Sequence, residues 1–249
     1  TEESIRFIEN QAGKKEPFFL YLALGSPHTP IIPSEKWVGK SGIGDYGDFV
    51  METDHSTVRI LEALDRLGIA DNTLVFFTAD NGCSPEADIK GLLEKGHDPS
   101  HTLRGHKADV WDGGHRVPYV VRWPGVIAPG RVSDEIICHN NLMATCAEIL
   151  GAELPDDAGV DSFSILPVLR GGGMAEPTHP YVIHHSVSGR FAIRRGDWKF
   201  IAAKGSGGWS KGNDGKPSQL YNMAADRKES DNLVDVKPGI AAELTRLLE

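Results

Sequence analysis

The sequence is short of cysteine, short of positive charge and without any long apolar run. Cys83, Cys138 and Cys146 are its three cysteines in 249 residues, and no two form a Cys-x-x-Cys pair. Three such thiols do not make a disulfide framework. No apolar stretch approaches the ~20 residues needed to span a bilayer. Lys plus Arg number 26 against 35 Asp plus Glu, a net charge of −9. Such a chain is a poor general binder of nucleic acid or of an anionic membrane, so an anionic substrate needs a local cationic pocket. The opening residues, Thr1 to Ile8, lack the pattern of a signal peptide. They read as the middle of an amphipathic helix with Ile5 and Ile8 on one side. A chain that opens mid-helix is expected to be a fragment, with any export signal upstream. There is no internal repeat.

What is present is ordinary globular composition, 40% hydrophobic and 24% charged, with enough chain to bury a core. Residues 2–11 read as a helix. Phe18 to Leu24, bounded by Pro17 and Gly25, is a short continuous apolar run that predicts a strand buried on both faces. A Pro- and Gly-rich loop follows over 26–47. Val50, Thr57, Val58, Leu61 and Leu64 recur at helical spacing, with Gly68 as the stop. Leu74 to Thr78 reads as a second buried strand, residues 83–109 as a long polar segment, and Tyr119 to Trp123 as a third strand. Leu142 to Leu150 reads as a helix stopped by Gly151.

That succession argues for an α/β layer fold with a mostly parallel sheet, in which ligands bind beyond the carboxyl ends of strands. Gly171-Gly172-Gly173 marks a boundary. Residues 1–170 are expected to belong to the α/β core and 171–249 to a small antiparallel α+β subdomain. In the latter, 181–185, 191–194, 198–202 and 220–223 read as short strands. Arg195-Gly196-Asp197 reads as a hairpin turn, Gly205 to Gly215 as a flexible loop, and Pro238 as the opening of a final helix.

Three pieces carry chemistry. Asp80-Asn81 follows a hydrophobic strand and offers two hard oxygen donors suited to Ca²⁺ or, less well, Mg²⁺. Two donors are too few for a shell of ~6–8, and Asp-Asn-Gly is equally a strong turn sequence. The stretch Arg104 to Pro118 holds Lys107, able to act as a point charge on a sulfate or phosphate. It also holds Arg116, able to pair with a carboxylate, and the pair Gly113-Gly114, which lets backbones approach closely. By spacing alone it reads equally as a solvated loop. His28, in Ser26-Pro27-His28-Thr29-Pro30, follows a predicted strand and is suited to proton transfer near neutral pH, or to a plain hydrogen bond with backbone.

In order, spacing and wording these pieces resemble the type I, formylglycine-dependent sulfatases of the alkaline-phosphatase-like superfamily. The matching text is Pro17 to Ala23 followed by His28, Tyr46-Gly47-Asp48, Asp71 to Gly82, and Gly105-x-Lys107 followed by Asp112-Gly113-Gly114-x-Arg116-Val117-Pro118. Phe191 to Lys199, Leu220-Tyr221-Asn222 and Asn232-Leu233 resemble the family's C-terminal subdomain. The resemblance implies a sulfatase acting on sulfate esters of carbohydrates or aryl alcohols, periplasmic or secreted. It implies that Asp80 and Asn81 are the second pair of Ca²⁺ ligands. It implies that Lys107 bridges the sulfate and the leaving oxygen, and that His28 contacts the ester oxygen and helps protonate the leaving alcohol. A lysine, a histidine proton and a divalent cation would offset the charge that builds on that oxygen. A phosphate or phosphonate ester hydrolase is the alternative within the superfamily, and a module binding sulfated glycan without turnover is the alternative outside it.

The departures lie on one side. The family's nucleophile motif, Cys-x-Pro-x-Arg, is missing. Cys83-Ser84-Pro85-Glu86-Ala87 copies its first and third positions, with Ala87 where arginine is needed. The family's first ligand pair, an Asp-Asp near the N-terminus, is missing too. The expectation is a C-terminal portion, inactive alone, whose formylglycine and remaining ligands come from the N-terminal part of the same protein. His97, His101 and His106 surround the Lys107 loop. His101, His106 and His115 are the candidate substrate contacts, on a sulfated small molecule or glycan.

Overall fold

The computed structural model describes residues 1–172 and 177–249. Gly173, the last residue of the predicted boundary, lies outside them. The chain forms two compact units that interleave along the sequence. The first comprises 1–77, 83–101 and 120–125; the second comprises 78–82, 102–119 and 126–249.

In the first unit, helix α1 (Glu2–Gln11) packs on the long helix α2 (Asp45–Arg66). Ile8, Leu64 and Ala70 form its core, with Phe7, Ile60, Leu61 and Val75 against them. Helix α2 begins inside the stretch that composition marks as loop. Its Asp48 carboxylate is buried and accepts the backbone N–H groups of Gly39 and Ser41, both at 2.7 Å. Those bonds fold 39–44 onto the helix's first turn. Val50 and Val58, read as inward, are exposed, and Ile60 takes the inward place instead. Gly68, with φ +68°, reverses the chain after the helix.

Phe18 to Leu24 does not form a strand. The segment is extended and alternates, with Phe18 and Leu20 packed on the core while Phe19 and Tyr21 are 69% and 78% exposed. A strand needs a hydrogen-bonded neighbour, and among the described residues this segment has none. The next two strands do pair: β1 (Val75–Thr78) lies beside β2 (Tyr119–Arg122) in a two-stranded sheet. The polar segment after β1 also holds a short helix, α3 (Ile89–Glu94), capped by the Asp88 carboxylate on the Gly91 N–H at 3.1 Å.

The second unit is built on an antiparallel sheet in the order β3 (Val182–His185), β4 (Phe191–Arg195), β5 (Trp198–Ile201) and β6 (Gln219–Asn222). Its two faces are covered differently. Ile193, Phe200 and Leu220 meet Ala241 and Leu244 of the C-terminal helix Pro238–Leu248. Ala192, Ile201 and Tyr221 meet Val110 and Trp111 of the 104–118 stretch. Register follows from this alternation, since a one-residue slip would exchange the faces. The unit also holds the helix Asn141–Leu150, closed by Gly151 at φ +63°. Among the described residues no helix is long and apolar enough to cross a membrane.

Candidate active site

The stretch 104–115 is a structured loop held by the sheet beneath it. Trp111 is buried, its indole N–H donating to Gln219 Oε1 at 3.0 Å. The Arg104 guanidinium lies 3.7 Å over the Trp111 ring and donates to Tyr221 Oη and the Glu229 carbonyl. Under the short helical turn Asp112–His115, Lys199 is fully buried, with its Nζ 2.7 Å from Asp112 Oδ1 and 2.8 Å from Glu229 Oε1. Glu229 also accepts the Asp112 N–H at 2.7 Å. Burial works against all three charges. The two carboxylates nonetheless hold the Lys199 pKa above its ordinary value, and the ammonium holds Asp112 below its own. Glu229 is raised, because burial outweighs its partner.

This anchored loop carries the candidate site. Gly82 N–H donates to the Gly114 carbonyl at 3.0 Å, tying the Asp80-Asn81 turn to the Gly113-Gly114 backbone. The approach is too close for any side chain. A Cβ on Gly82 would lie 1.8 Å from the Gly113 carbonyl oxygen, and one on Gly113 would lie 2.2 Å from that of Gly105. Both glycines are there for proximity, not for a turn.

Lys107 is half-buried at the crest of the loop. The next residue, Ala108, has φ +80°. The crest is pinned by Asp109, fully buried, which accepts His106 N–H and Ser210 N–H at 3.0 Å each. Asp80 is exposed. Asn81 Nδ2 donates to the Gly82 carbonyl at 3.0 Å, which assigns its amide oxygen to the opposite side as an acceptor. A carboxylate and an amide oxygen on adjacent residues match the donor chemistry of a hard cation, though they supply only part of a shell. Among the described residues no three His, Cys, Asp or Glu converge as a metal group.

The histidines separate by role. His28, in the first unit, follows the extended segment and is exposed. Its Nδ1 lies 2.9 Å from the Thr29 carbonyl, so that nitrogen carries the hydrogen in the neutral ring. His101 is exposed with φ +56°, also in the first unit. His106 is held inside its loop, Nδ1 at 3.1 Å from the Lys107 carbonyl and Nε2 at 3.0 Å from Ser210 Oγ. The His115 ring lies against that of His184, tilted by 56° with centroids 4.4 Å apart. Burial of that face and the nearby Lys199 bring its pKa down to about 4. Cys83 is no activated thiolate: burial pushes its pKa up, and it is hydrogen-bonded with Tyr46. Arg116 is exposed and makes no ion pair among the described residues.

Sequence reasoning passed over Lys199 and Glu229. Lys199 stands in an alternating strand where outward lysine is the default, and Glu229 in a polar run. The one available signal was that Lys199 falls on the same face as Ile201 and Tyr221.

Solved structures set the class. A structure described under glycosaminoglycan metabolism by Bacteroides thetaiotaomicron is 32% identical and matches 99% of this chain and 52% of its own, with a TM-score of 0.87. Another, Ps i-CgsB in complex with k-i-k-neocarrahexaose, is 25% identical over 99% of this chain and 52% of its own, with a TM-score of 0.81. The fold is thus the alkaline-phosphatase-like one. The particular family follows from sequence. The sulfatase family model matches residues 1–152, and the chain belongs to the sulfatase family. An N-acetylgalactosamine-6-O-sulfatase of Bacteroides thetaiotaomicron is 34% identical over 95% of this chain and 47% of its own length. An arylsulfatase of Hemicentrotus pulcherrimus is 37% identical over 80% and 34%. A mouse N-acetylgalactosamine-6-sulfatase is 33% identical over 88% and 41%. The chain spans from 34% to 47% of the length of these curated relatives.

Proposed function

We propose that this chain supplies the leaving-group side of a sulfatase active site that hydrolyses sulfate esters of carbohydrates. The observation that carries the reading is the tie between the Asp80-Asn81 turn and the Lys107 loop through Gly82 and Gly114, on one buried framework. Family membership and the relatives' names support the sulfate ester, and the N-acetylgalactosamine-6-sulfatases among them favour a sulfated amino sugar. Residues 1–170 are then part of the catalytic core, and 171–249 a subdomain that braces it.

In this reading Lys107 places its ammonium on the sulfate and the bridging oxygen, and His28 gives the departing alkoxide its proton. Asp80 and Asn81 would hold a divalent cation, Ca²⁺ before Mg²⁺, which when bound supplies positive charge to the sulfate oxygens. His101 and His115 stand as substrate contacts. His106, its nitrogens already used within the loop, contributes by holding Lys107. The nucleophile, a formylglycine, comes from the part of the relatives' length that this chain does not span.

The test is the dependence on leaving group, in the enzyme that contains the nucleophile. A sugar alkoxide needs a proton, and general acid catalysis supplies about 10²–10⁴-fold; a nitrophenolate leaves unaided. His28→Ala and Lys107→Ala should therefore lower kcat far more on a sugar 6-sulfate than on 4-nitrophenyl sulfate. Equal losses on both substrates, confined to KM, would show that the two residues only bind sulfate.

A further inference from the structure

The Gly-rich segment 205–215, which composition marks as flexible, is fastened around one exposed aromatic residue. Ser206 accepts Val110 N–H at 2.9 Å through its carbonyl, and its hydroxyl both accepts Gly208 N–H at 3.0 Å and donates to the Ser210 carbonyl at 2.7 Å. Gly208 lies so close to the Lys107 loop that a Cβ there would be 2.4 Å from the Ala108 carbonyl oxygen and 2.6 Å from Asp109 Oδ1. Ser210 N–H donates to Asp109, and Ser210 Oγ meets His106. Trp209 is therefore flanked on both sides by residues seated on Ala108 and Asp109, immediately after Lys107. Of residues 206–210 it alone is exposed, at 47%. A tryptophan left in water by a loop rigid on either side is displayed at little entropic cost, as aromatic anchors of binding surfaces are. Two lysines flank Trp209 along the sequence in a chain of net charge −9, and the Asp109 carboxylate that the loop contacts is buried and taken up by N–H groups. Residues 204–211 carry Lys204 and Lys211 and no acid, and the Arg190 stem rests against Gly207, where a Cβ would meet its Cγ at 2.5 Å.

We propose that Trp209 is a carbohydrate platform: its indole face takes the apolar face of the pyranose ring whose sulfate ester reaches Lys107. The chemistry it selects is a flat-faced, anionic sugar. The pyranose C–H groups meet the negative face of the indole, and neighbouring cations take the sugar's charge. The inference rests on the reading of Lys107 as the sulfate-binding lysine. It adds the residue that makes the site one for sugars.

The experiment compares two probes that share the sulfate but not the ring. In the hydrolytic enzyme, Trp209→Ala should raise KM for N-acetylgalactosamine-6-sulfate about tenfold with kcat retained, the scale of one lost aromatic contact. The inhibition constant of inorganic sulfate should not move, and Trp209→Phe should recover most of the sugar binding. An unchanged KM, or KM and the sulfate constant rising together, overturns the platform; the second pattern would mean that the substitution merely shifts Lys107. Should the wild-type enzyme not hydrolyse the sugar sulfate at all, the proposed function fails separately. The platform is then read by quenching of tryptophan emission with the same sulfate: quenching that disappears in Trp209→Ala upholds it, and no such difference overturns it.

Discussion

At the scale of single residues, the site depends on what two glycines lack and what one lysine is denied. A methyl group on Gly113 would collide with the carbonyls of Arg104 and Gly105 at 2.5 and 2.2 Å, and neither is a flexible side chain. Gly113→Ala must therefore move the backbone that carries Gly114, and with it the Asp80-Asn81 turn. We expect a fall in stability on the overpacking scale, about 1–3 kcal/mol by thermal or urea unfolding, with weaker binding of the cation proposed for Asp80 and Asn81. Lys199 is denied water. Lys199→Met leaves Asp112 and Glu229 facing each other in a buried site, and breaking such a pair commonly costs about 3–5 kcal/mol. The sign with pH is fixed by the shifts. Lys199 is raised above 10.5, so its contribution is complete below that pH and is lost as pH rises through the folded value. Asp112 is lowered below 3.8, so its contribution is complete above that pH and is lost as pH falls through the folded value. The gap between wild type and Lys199→Met should be widest above the raised Glu229 value and below 10.5, where both carboxylates and the ammonium are charged. It should shrink on acidification, when the abandoned carboxylates take up protons. Unfolding curves at pH 7 and pH 3 decide this; a gap that is the same at both would show that the ion pair contributes nothing beyond packing.

At the scale of elements, the loop and the sheet are one object. Trp111 fills the face of β4, β5 and β6 left open by the C-terminal helix, so removing it empties the core and unseats Arg104 together. Trp111→Ala should destabilise by about 3–5 kcal/mol. Because the loop is pinned through that side chain, exchange of the Gly82 amide with solvent should quicken more than exchange of amides in β4. Equal protection in both variants would mean that the turn is held by something other than the loop.

How much of this could be read in advance also differs element by element. The helix 2–11, the helix ending at Leu150 and the four strands after 181 announce themselves, because their periods and their closing Gly or Pro residues act locally. Phe18 to Leu24 misleads, since continuous apolarity reports burial only if neighbours arrive to cover both faces. The true start of α2 depends on Asp48 gathering N–H groups from a preceding loop, which no window of hydrophobicity records. Asp80, Asn81, Lys107 and His28 stand in the sequence as wording that resembles the family's site. The burial of Lys199 and Glu229 and the fastening of the loop around Trp209 could not be read there, because each depends on a stretch far away along the chain.

At the scale of the whole molecule, the extended segment after α1 has a consequence of its own. Its inner row, Phe18 and Leu20, is spent on the core, while Phe19 and Tyr21 stand in solvent beside unladdered backbone. Such a segment is a template awaiting a strand, and another copy of the chain offers one. Solutions of this chain taken by itself should therefore be colloidally restless: scattering intensity should climb with concentration and with salt, which screens the mutual repulsion of molecules carrying net charge −9. Phe19→Ser with Tyr21→Ser should calm it without lowering the melting temperature, since neither side chain is buried. Unchanged scattering in that double variant would place the attraction elsewhere. What looks within one molecule like an idle row of side chains sets, in a crowded tube, how long the protein stays in solution.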